Sequence, residues 1–307
     1  MKRGIYLVAN RKSEAECLNL IYSIRRCGCR LPIRVIPFDE KSIRPDAAWE
    51  DVRLVRLDDF PQEGRRFLDD LTQRMRICPE GLLRRFLAWF GEFDEFLYSD
   101  NDVVALMNWE ELFSYLGQFE IVHADHEFAT HGKFNMRKPD RFAELMGPGS
   151  LECAITDGHF LCRPRAQHVA DLLRGVTWME EHPDVPIWHH DQSLVHVTLA
   201  LAKWPALNLC KPPHNWASSW AGDYENTLEV FRSIQTERRP ISHLHFSGGH
   251  AGGTNPTEEL LLSNLSAKQR RRRLLSLLAS EASGVRSAPK LAKRAMRKAQ
   301  RLVRGSN

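Results

Sequence analysis

The sequence predicts an α/β fold with a buried parallel sheet, and its first forty residues carry the main evidence. Residues 4–9 form a short, almost wholly apolar run rich in strand-forming residues. Residues 13–26 space their apolar positions as a helix does, and Ser13 followed by Glu16 is typical of a helix start. Residues 33–38 form a second apolar strand. Such a strand–helix–strand unit is typical of parallel sheets covered on both faces.

The alternation of strands and helices continues to about residue 250, which favours one α/β domain over residues 1–255. Further strands are predicted at residues 52–57, 95–98, 121–124, 154–162, 204–211 and 241–246. Further helices are predicted at residues 80–90, 108–117, 167–174 and 192–202. Loops are predicted at residues 126–150 and 212–224. Residues 256–307 form a separate, helical tail in this prediction.

The tail is strongly basic. Residues 268–304 contain 13 Lys or Arg and one acidic residue, a net charge of +12, which leaves −8 for the rest of a chain whose net charge is +4. Leu291, Ala295, Ala299 and Leu302 give this segment an apolar stripe at helical spacing. A basic amphipathic helix is typical of proteins that bind an anionic membrane surface, although it can also be a solvated helical end. No nucleic-acid partner is expected, because the body has no basic patches with interleaved aromatic residues.

The cysteines and the hydropathy pattern indicate a cytoplasmic protein. The seven cysteines are odd in number and scattered, without the paired spacing of a zinc site. The N-terminal apolar run is too short for a signal peptide, and no stretch of the chain is long and apolar enough to predict a transmembrane helix. Any membrane contact is therefore expected to be peripheral, at the inner face of the membrane.

Two carboxylates two residues apart, Asp100 and Asp102, follow the predicted strand at residues 95–98. Ligands of open α/β sheets bind at the carboxyl ends of strands, and hard cations such as Mg²⁺ and Mn²⁺ prefer oxygen ligands. A turn or helix cap is the alternative for this pattern. His245 lies near the end of the last predicted strand and precedes a glycine-rich loop, where it could bind the same ion.

Six short motifs occur in a fixed order along residues 3–250: Val8-Ala9-Asn10, Arg84, Asp100-x-Asp102, Thr156-Asp157-Gly158, Asp191-Gln192 and His245-x-x-Gly248. This order resembles that of family 8 glycosyltransferases, which are retaining enzymes with the GT-A fold. The chain looks closer still to a bacterial group of that superfamily. Segments shared with that group are Gly4–Asn10, Ile36–Asp39, Trp89–Tyr98, Asn215–Ala217 and Leu244–Gly248.

The resemblance implies a GT-A-type, Rossmann-like mixed sheet flanked by helices, and an enzyme that transfers a hexose from a nucleotide-sugar donor, such as a UDP-sugar, to a saccharide or lipid-linked acceptor. Asp100, Asp102 and His245 would bind Mn²⁺ or Mg²⁺. Asp191 and Gln192 would act on the sugar as the catalytic pair. The substrate-binding residues would be Ala9, Asn10, Arg84 (with Arg85 as the alternative), Asp157, Asn215, Trp216 and Gly248.

The chain departs from the family pattern at two points. The family's late loop continues to a Lys-Pro-Trp that clamps the diphosphate, whereas Gly249–Gly253 contains no Lys. The family's Asn before the glycine is replaced at Thr156-Asp157. Without the Lys of the late loop, the diphosphate is expected to be bound by backbone amides, His250 or Arg84.

Some residues allow other interpretations. A metal-dependent phosphohydrolase could use Asp100, Asp102, His189, His190 and Asp191, and a non-catalytic binding protein could keep the scaffold without the activity. The histidines near Asp125 could suggest a second metal, but polar loops are favoured. Trp216 and Trp220 could stack on a sugar or pack in the core, whereas packing is predicted for Trp89, Trp109, Trp178 and Trp204.

Overall fold

The computed structural model describes residues 1–41, 43–44, 51–125, 135–187, 190–246 and 264. All secondary-structure elements belong to one unit of the chain, Met1–Ser263. The boundary predicted at residue 255 stays a prediction, and the predicted tail lies outside the described residues except for Asn264. In the described part of the chain no helix is both long and apolar enough to span a membrane.

The predicted α/β architecture is confirmed. A seven-stranded sheet has the order β3-β2-β1-β4-β7-β6-β8, and a two-stranded sheet pairs β5 with β9. The strands are β1 (Arg3–Ala9), β2 (Ile33–Pro37), β3 (Val52–Leu54), β4 (Glu95–Ser99), β5 (Val103–Ala105), β6 (Ile121–His123), β7 (His159–Cys162), β8 (Ala206–Asn208) and β9 (His243–His245).

The sheet is mixed rather than wholly parallel. β3, β2, β1 and β4 run parallel, and β6 runs parallel to β8, but β7 is antiparallel to both of its neighbours. The parallel sheet expected from the strand–helix–strand pattern is therefore right for the first four strands and wrong at β7. Because β7 runs the other way, its amino end meets the carboxyl end of β4.

Seven α-helices occur in the described residues. They are α1 (Glu14–Arg26), α2 (Gln62–Arg74), α3 (Glu80–Leu83), α4 (Pro139–Met146), α5 (Ala166–Glu181), α6 (Asp191–Ala202) and α7 (Thr227–Gln235). Short 3-10 helices cover Arg11–Ser13, Leu57–Asp59, Arg84–Phe90, Trp109–Tyr115 and Ala221–Asp223.

The helix predictions need several corrections, and the helix predicted at residues 108–117 is a 3-10 helix over Trp109–Tyr115. The helix predicted at residues 80–90 is α3 followed by a 3-10 helix. α4 lies where a loop was predicted, and α2 and α7 were not predicted at all. The residues that α2 buries, Gly64, Phe67, Leu68 and Leu71, have regular helical spacing, so this helix could have been predicted from the sequence.

The start of the first helix also differs from the prediction. The side chain of Ser13 makes no capping hydrogen bond to α1. Asn10 serves as the cap, because its Oδ1 accepts from the backbone N–H groups of Lys12 and Ser13, while Ser13 Oγ accepts from the Asn10 N–H. The pair closes a capping box one turn earlier, on the 3-10 helix that precedes α1.

The hydrophobic core lies on both faces of the large sheet. Tyr6 and Val8 of β1 belong to one apolar cluster, and Ile5 and Leu7 belong to the other. This alternation is what a strand covered on both faces requires. Packing is confirmed for the tryptophans assigned to the core, which are at most 9% exposed: Trp89, Trp109, Trp178 and Trp204.

Candidate functional site

Backbone hydrogen bonds bring three separate segments together at the carboxyl end of β4. The Asp100 N–H donates to the carbonyl of Gly158 at 2.7 Å, which joins the end of β4 to the start of β7. The Phe246 N–H donates to the carbonyl of Asp102 at 2.8 Å, which joins the acidic turn to the end of β9. The turn, β7 and β9 therefore meet at one edge of the sheet.

Asp100, Asp102 and His245 converge there as the sequence predicts. Their ligand atoms all lie within 4.8 Å of one another. Nε2 of His245 is 3.4 Å from Asp102 Oδ1 and 3.9 Å from Asp100 Oδ2. The side chains of Asp100 and Asp102 are 28% and 39% exposed, so an ion can reach them from solvent. Two carboxylate oxygens and one imidazole nitrogen fit a divalent cation such as Mn²⁺ or Mg²⁺.

The electrostatics of these side chains also favour a cation. Burial raises the pKa of Asp100, and Asp102 adds to this rise while Arg85 opposes it. Burial disfavours the charged form of His245, but Asp102 and Asp100 outweigh it and raise the pKa of His245 to about 9. The site is therefore rich in negative charge that a bound cation would balance.

Gly158 makes room for His245. A Cβ atom at this position would lie 2.2 Å from Cε1 of the imidazole, closer than any real contact. The glycine of the Thr156-Asp157-Gly158 motif is thus required by close packing against a metal-ligand candidate.

We expect Gly158→Ala to weaken the binding of Mn²⁺ roughly tenfold or more, because the imidazole must move away from Asp102. Isothermal titration with Mn²⁺ measures this affinity. Gly175→Ala is the matched control, because its Cβ would crowd Thr198 Oγ1 at 2.4 Å between α5 and α6 and would not touch His245. Wild-type Mn²⁺ affinity in Gly158→Ala would contradict the assignment of His245 as a ligand.

Arg85 is buried at the centre of the site. Its guanidinium contacts three carboxylates: Asp157 at 2.8 Å, Asp191 at 2.8 Å and Asp100 at 3.3 Å. It also donates to the carbonyl of Asp157 at 2.9 Å and stacks on the ring of Tyr98. Arg85 therefore fixes three segments relative to one another: the turn that carries Asp100 and Asp102, the start of β7 and the start of α6.

Arg84, which the sequence favoured over Arg85, points elsewhere. Its guanidinium contacts Glu80 at 2.7 Å and donates to the carbonyl of Pro37 at 2.8 Å. It contacts none of the three carboxylates bound by Arg85 in the described residues. The structure thus brings the alternative residue, Arg85, into the site and places Arg84 beside the end of β2.

The pKa values of the two aspartates on either side of Arg85 shift in opposite directions. Burial raises the pKa of Asp157 well above its ordinary value, with Arg85 opposing and Asp191 reinforcing the rise. Burial also disfavours ionisation of Asp191, but Arg85 and His190 outweigh it and hold its pKa below the ordinary value. The surroundings therefore favour the charged form more at Asp191 than at Asp157, and Oδ2 of Asp157 is buried without a hydrogen-bond partner.

Gln192 belongs to a polar network beside Asp191. Its Nε2 donates to Oδ1 of Asn135 at 2.5 Å, and Asn135 donates in turn to the carbonyl of Ile155 at 3.2 Å. The network ends on His196, which contacts the carbonyl of Ser150 at 2.8 Å. These contacts hold the Gln192 side chain near the start of α6.

Ala9 and Asn10, two of the predicted substrate-binding residues, lie at the carboxyl end of β1. Ala9 is buried, and its carbonyl accepts from the Phe38 N–H. Asn10 caps the following 3-10 helix through Oδ1 and donates to Asp39 Oδ2 at 2.8 Å. The side-chain amide of Asn10 is therefore largely occupied within the protein.

The predicted aromatic contact is not supported for Trp216. This side chain is 3% exposed and packs in the core against Tyr115, so the packing alternative holds.

Asn215 is exposed at a left-handed backbone position (φ 52°) and donates to the carbonyl of Pro213. Trp220 is only partly buried, and its backbone bridges to His245, which places it beside the metal candidates. Gly248 lies outside the described residues.

A second group of potential ligands, Cys78, His190 and Asp191, was missed as a group by the sequence analysis. Asp191 and His190 were each considered, but Cys78 is a lone cysteine far away in sequence.

The residues considered for a phosphohydrolase are divided between the two groups of potential ligands, and His189 lies outside the described residues. Of the histidines considered for a second metal, His123 contacts Asp125 itself: its Nδ1 lies 2.8 Å from Oδ2, and both side chains are buried. His126 and His131 lie outside the described residues.

Comparisons with known proteins show what this architecture is similar to. A scan of protein-family models and a search of curated proteins found no match. Among solved structures, the apo WbbM bifunctional glycosyltransferase is similar at a TM-score of 0.55 and 14% identity, over 88% of this chain and 51% of that one. The glycosyltransferase GlyE of Streptococcus pneumoniae TIGR4 is similar at 0.52 and 14%, over 91% and 64% of the two chains.

A third similar structure is the galactosyltransferase LgtC with donor and acceptor sugar analogs, at a TM-score of 0.51 and 14% identity, over 88% of this chain and 99% of that one. The chain thus spans about half to two thirds of WbbM and GlyE, and nearly all of LgtC. At this identity the likeness is evidence about architecture. The chain has the GT-A fold that these glycosyltransferases share.

Proposed function

We propose that this protein is a metal-dependent glycosyltransferase that moves a hexose from a nucleotide-sugar donor, such as a UDP-sugar, to a saccharide acceptor. The observation that carries the proposal is the convergence of Asp100, Asp102 and His245 at the carboxyl end of the sheet. The similar structures are glycosyltransferases, and LgtC was solved with donor and acceptor sugar analogs.

Asp100, Asp102 and His245 would hold Mn²⁺ or Mg²⁺. Such a cation supplies charge neutralisation at the departing diphosphate. Ala9 and Asn10, at the end of β1, would border the base of the donor. With the late loop lacking Lys, cationic help from the described part of the site comes from Arg85, which lies 3.3 Å from Asp100.

Asp191 and Gln192 would act on the sugar. Asp191 opens α6 and is held in place by Arg85, which favours its charged form by lowering its pKa, so it would stabilise positive charge that develops on the sugar ring. Burial favours the protonated form of Asp157 by raising its pKa, and in that form it would donate a hydrogen bond to a sugar oxygen. Retention of configuration, with the leaving phosphate accepting the acceptor's proton, completes the proposal.

We expect Mn²⁺ and the correct nucleotide sugar together to raise the thermal unfolding temperature of the wild-type protein, because a ligand that binds only the folded state stabilises it. Asp102→Ala should lose this shift while it keeps the unfolding temperature of the free protein. A thermal-shift screen of nucleotide sugars with Mn²⁺ measures both. Asp69→Ala, at an exposed position on α2, is the matched control.

Three outcomes would count against the proposal. A full Mn²⁺-dependent shift in Asp102→Ala would exclude the metal assignment. The absence of any shift with every nucleotide sugar would favour a non-catalytic binding protein. Release of phosphate from simple phosphoesters, with no sugar transfer, would favour a phosphohydrolase.

The proposal extends to the basic tail, which would dock the enzyme on an anionic membrane and give it a lipid-linked acceptor. The net charge of +12 over residues 268–304 supports this, since each basic residue near such a surface contributes on the order of 1 kcal/mol. Truncation after residue 265 should abolish sedimentation with anionic vesicles at low salt and leave donor binding unchanged. Equal sedimentation of the two proteins would rule the tail out as the anchor.

A further inference from the structure

Three side chains from two segments face one another behind the candidate metal site. Cys78 ends the turn after α2, and its N–H donates to the carbonyl of Met75. His190 and Asp191 form the start of α6. The Sγ atom, an imidazole nitrogen and a carboxylate oxygen of these three residues lie within 4.8 Å of one another.

Two of the three side chains are buried, and the third is partly exposed to solvent. Cys78 is 4% exposed and Asp191 is 1% exposed. His190 is 36% exposed and contacts Oδ1 of Asp191 through Nδ1. A buried thiol and a buried carboxylate thus lie behind a histidine that faces solvent, which gives an ion a route inward.

The two oxygens of Asp191 have different neighbours. Oδ2 is bound by Arg85 at 2.8 Å, while Oδ1 is directed towards His190. A ligand at Oδ1 therefore need not displace the guanidinium. Arg85 is already surrounded by Asp100, Asp157 and Asp191, so the neighbourhood has room for further positive charge.

We infer that Cys78, His190 and Asp191 form a second cation site, which binds a thiophilic ion such as Zn²⁺. Sulfur, imidazole nitrogen and carboxylate oxygen are the ligand types of protein zinc sites, whereas Mg²⁺ and Mn²⁺ disfavour sulfur. The site shares no residue with Asp100, Asp102 and His245, so the two sites differ in both place and ion preference.

Such a site would regulate the enzyme. This consequence rests on the proposed function, in which Asp191 acts on the sugar. With Zn²⁺ on Oδ1, Asp191 is withdrawn from the substrate, so Zn²⁺ would inhibit transfer even when Mn²⁺ saturates the other site.

Titration of the full-length protein with Co²⁺, without any nucleotide or sugar, tests the site itself. A thiolate bound to Co²⁺ gives a charge-transfer absorption in the near ultraviolet, and Zn²⁺ should remove it by displacement. We expect this band in the wild type, in Asp102→Ala and in the control Cys153→Ser, and its loss in Cys78→Ser. Because no donor is present, failure of this test is distinguishable from failure of the proposed function.

His190→Gln provides a second variant at a partly exposed position, where folding is least affected. Its affinity for Co²⁺, read from the same band, should fall roughly tenfold or more. The inference is overturned if the wild-type protein shows no band, if the band persists in Cys78→Ser, or if His190→Gln binds Co²⁺ as tightly as the wild type.

Discussion

Arg85→Ala is expected to lower the free energy of unfolding by roughly 3–5 kcal/mol, the largest effect on stability that the site predicts. The guanidinium is buried and contacts Asp100, Asp157 and Asp191. Without it, three carboxylates would face one another with no cation among them. Urea unfolding, followed by circular dichroism, measures the change.

Arg84→Ala is the matched control for this experiment. Arg84 is also buried, but its carboxylate partner, Glu80, is 44% exposed and can return to water. We expect a loss of about 1 kcal/mol, as for an ordinary hydrogen-bonded pair. Arg85→Lys should recover only part of the stability, because one ammonium cannot reproduce the fork of the guanidinium. Equal losses in the two alanine variants would show that Arg85 does not hold the site together.

Asp191→Asn is expected to reduce turnover on the order of 10²–10³-fold, while affinity for the free nucleotide stays within about twofold of the wild type. The amide keeps the shape of the carboxylate and can still accept a hydrogen bond from Arg85, but it carries no charge. Transfer kinetics and nucleotide titration, performed on the same protein, separate the two effects.

Asp171→Asn is the control for a general effect of neutralising a buried aspartate. Asp171 lies on α5, where it contacts Arg174 at 2.8 Å and accepts from Trp204 Nε1. We expect wild-type turnover from this variant once its stability is taken into account. If Asp191→Asn weakened nucleotide binding as much as turnover, Asp191 would belong to the nucleotide site and not to the sugar site.

The metal candidates could be predicted from sequence because each lies at the end of a strand or just beyond it. Asp100 and Asp102 come after β4, and His245 ends β9. A residue at the end of a strand is confined to one edge of the sheet, so position along the chain translates into position in space. Asp191 could be predicted by a related argument, because the first residue of a helix also has a defined place in the fold.

The choice between Arg84 and Arg85 could not be made in this way. Adjacent residues point to different sides of a helix, so a small change in winding exchanges their environments. The segment is a 3-10 helix here, although its apolar spacing was interpreted as an ordinary helix. Which arginine enters the site depends on that local winding and on three carboxylates from distant segments.

Cys78 and Trp216 show a second limit. The role suggested for Cys78 depends on its distance from α6, which no local pattern encodes. Trp216 lies beside polar residues in a loop sequence, yet it is buried against Tyr115. Asn10 differs again, because the residue expected at the base is largely occupied as a helix cap.

The pairing of β5 with β9 has a consequence for how the protein becomes functional during synthesis. Val103 pairs with His245 in this small sheet, so Asp102 meets its partner ligand only after nearly half of the chain has been added. Contacts between residues so distant in sequence form late, because closing a long loop costs entropy before any contact compensates it. A nascent chain that ends before β9 can complete much of the large sheet, but it lacks the third ligand. The candidate metal site is therefore expected to be among the last parts of the protein to be assembled during synthesis.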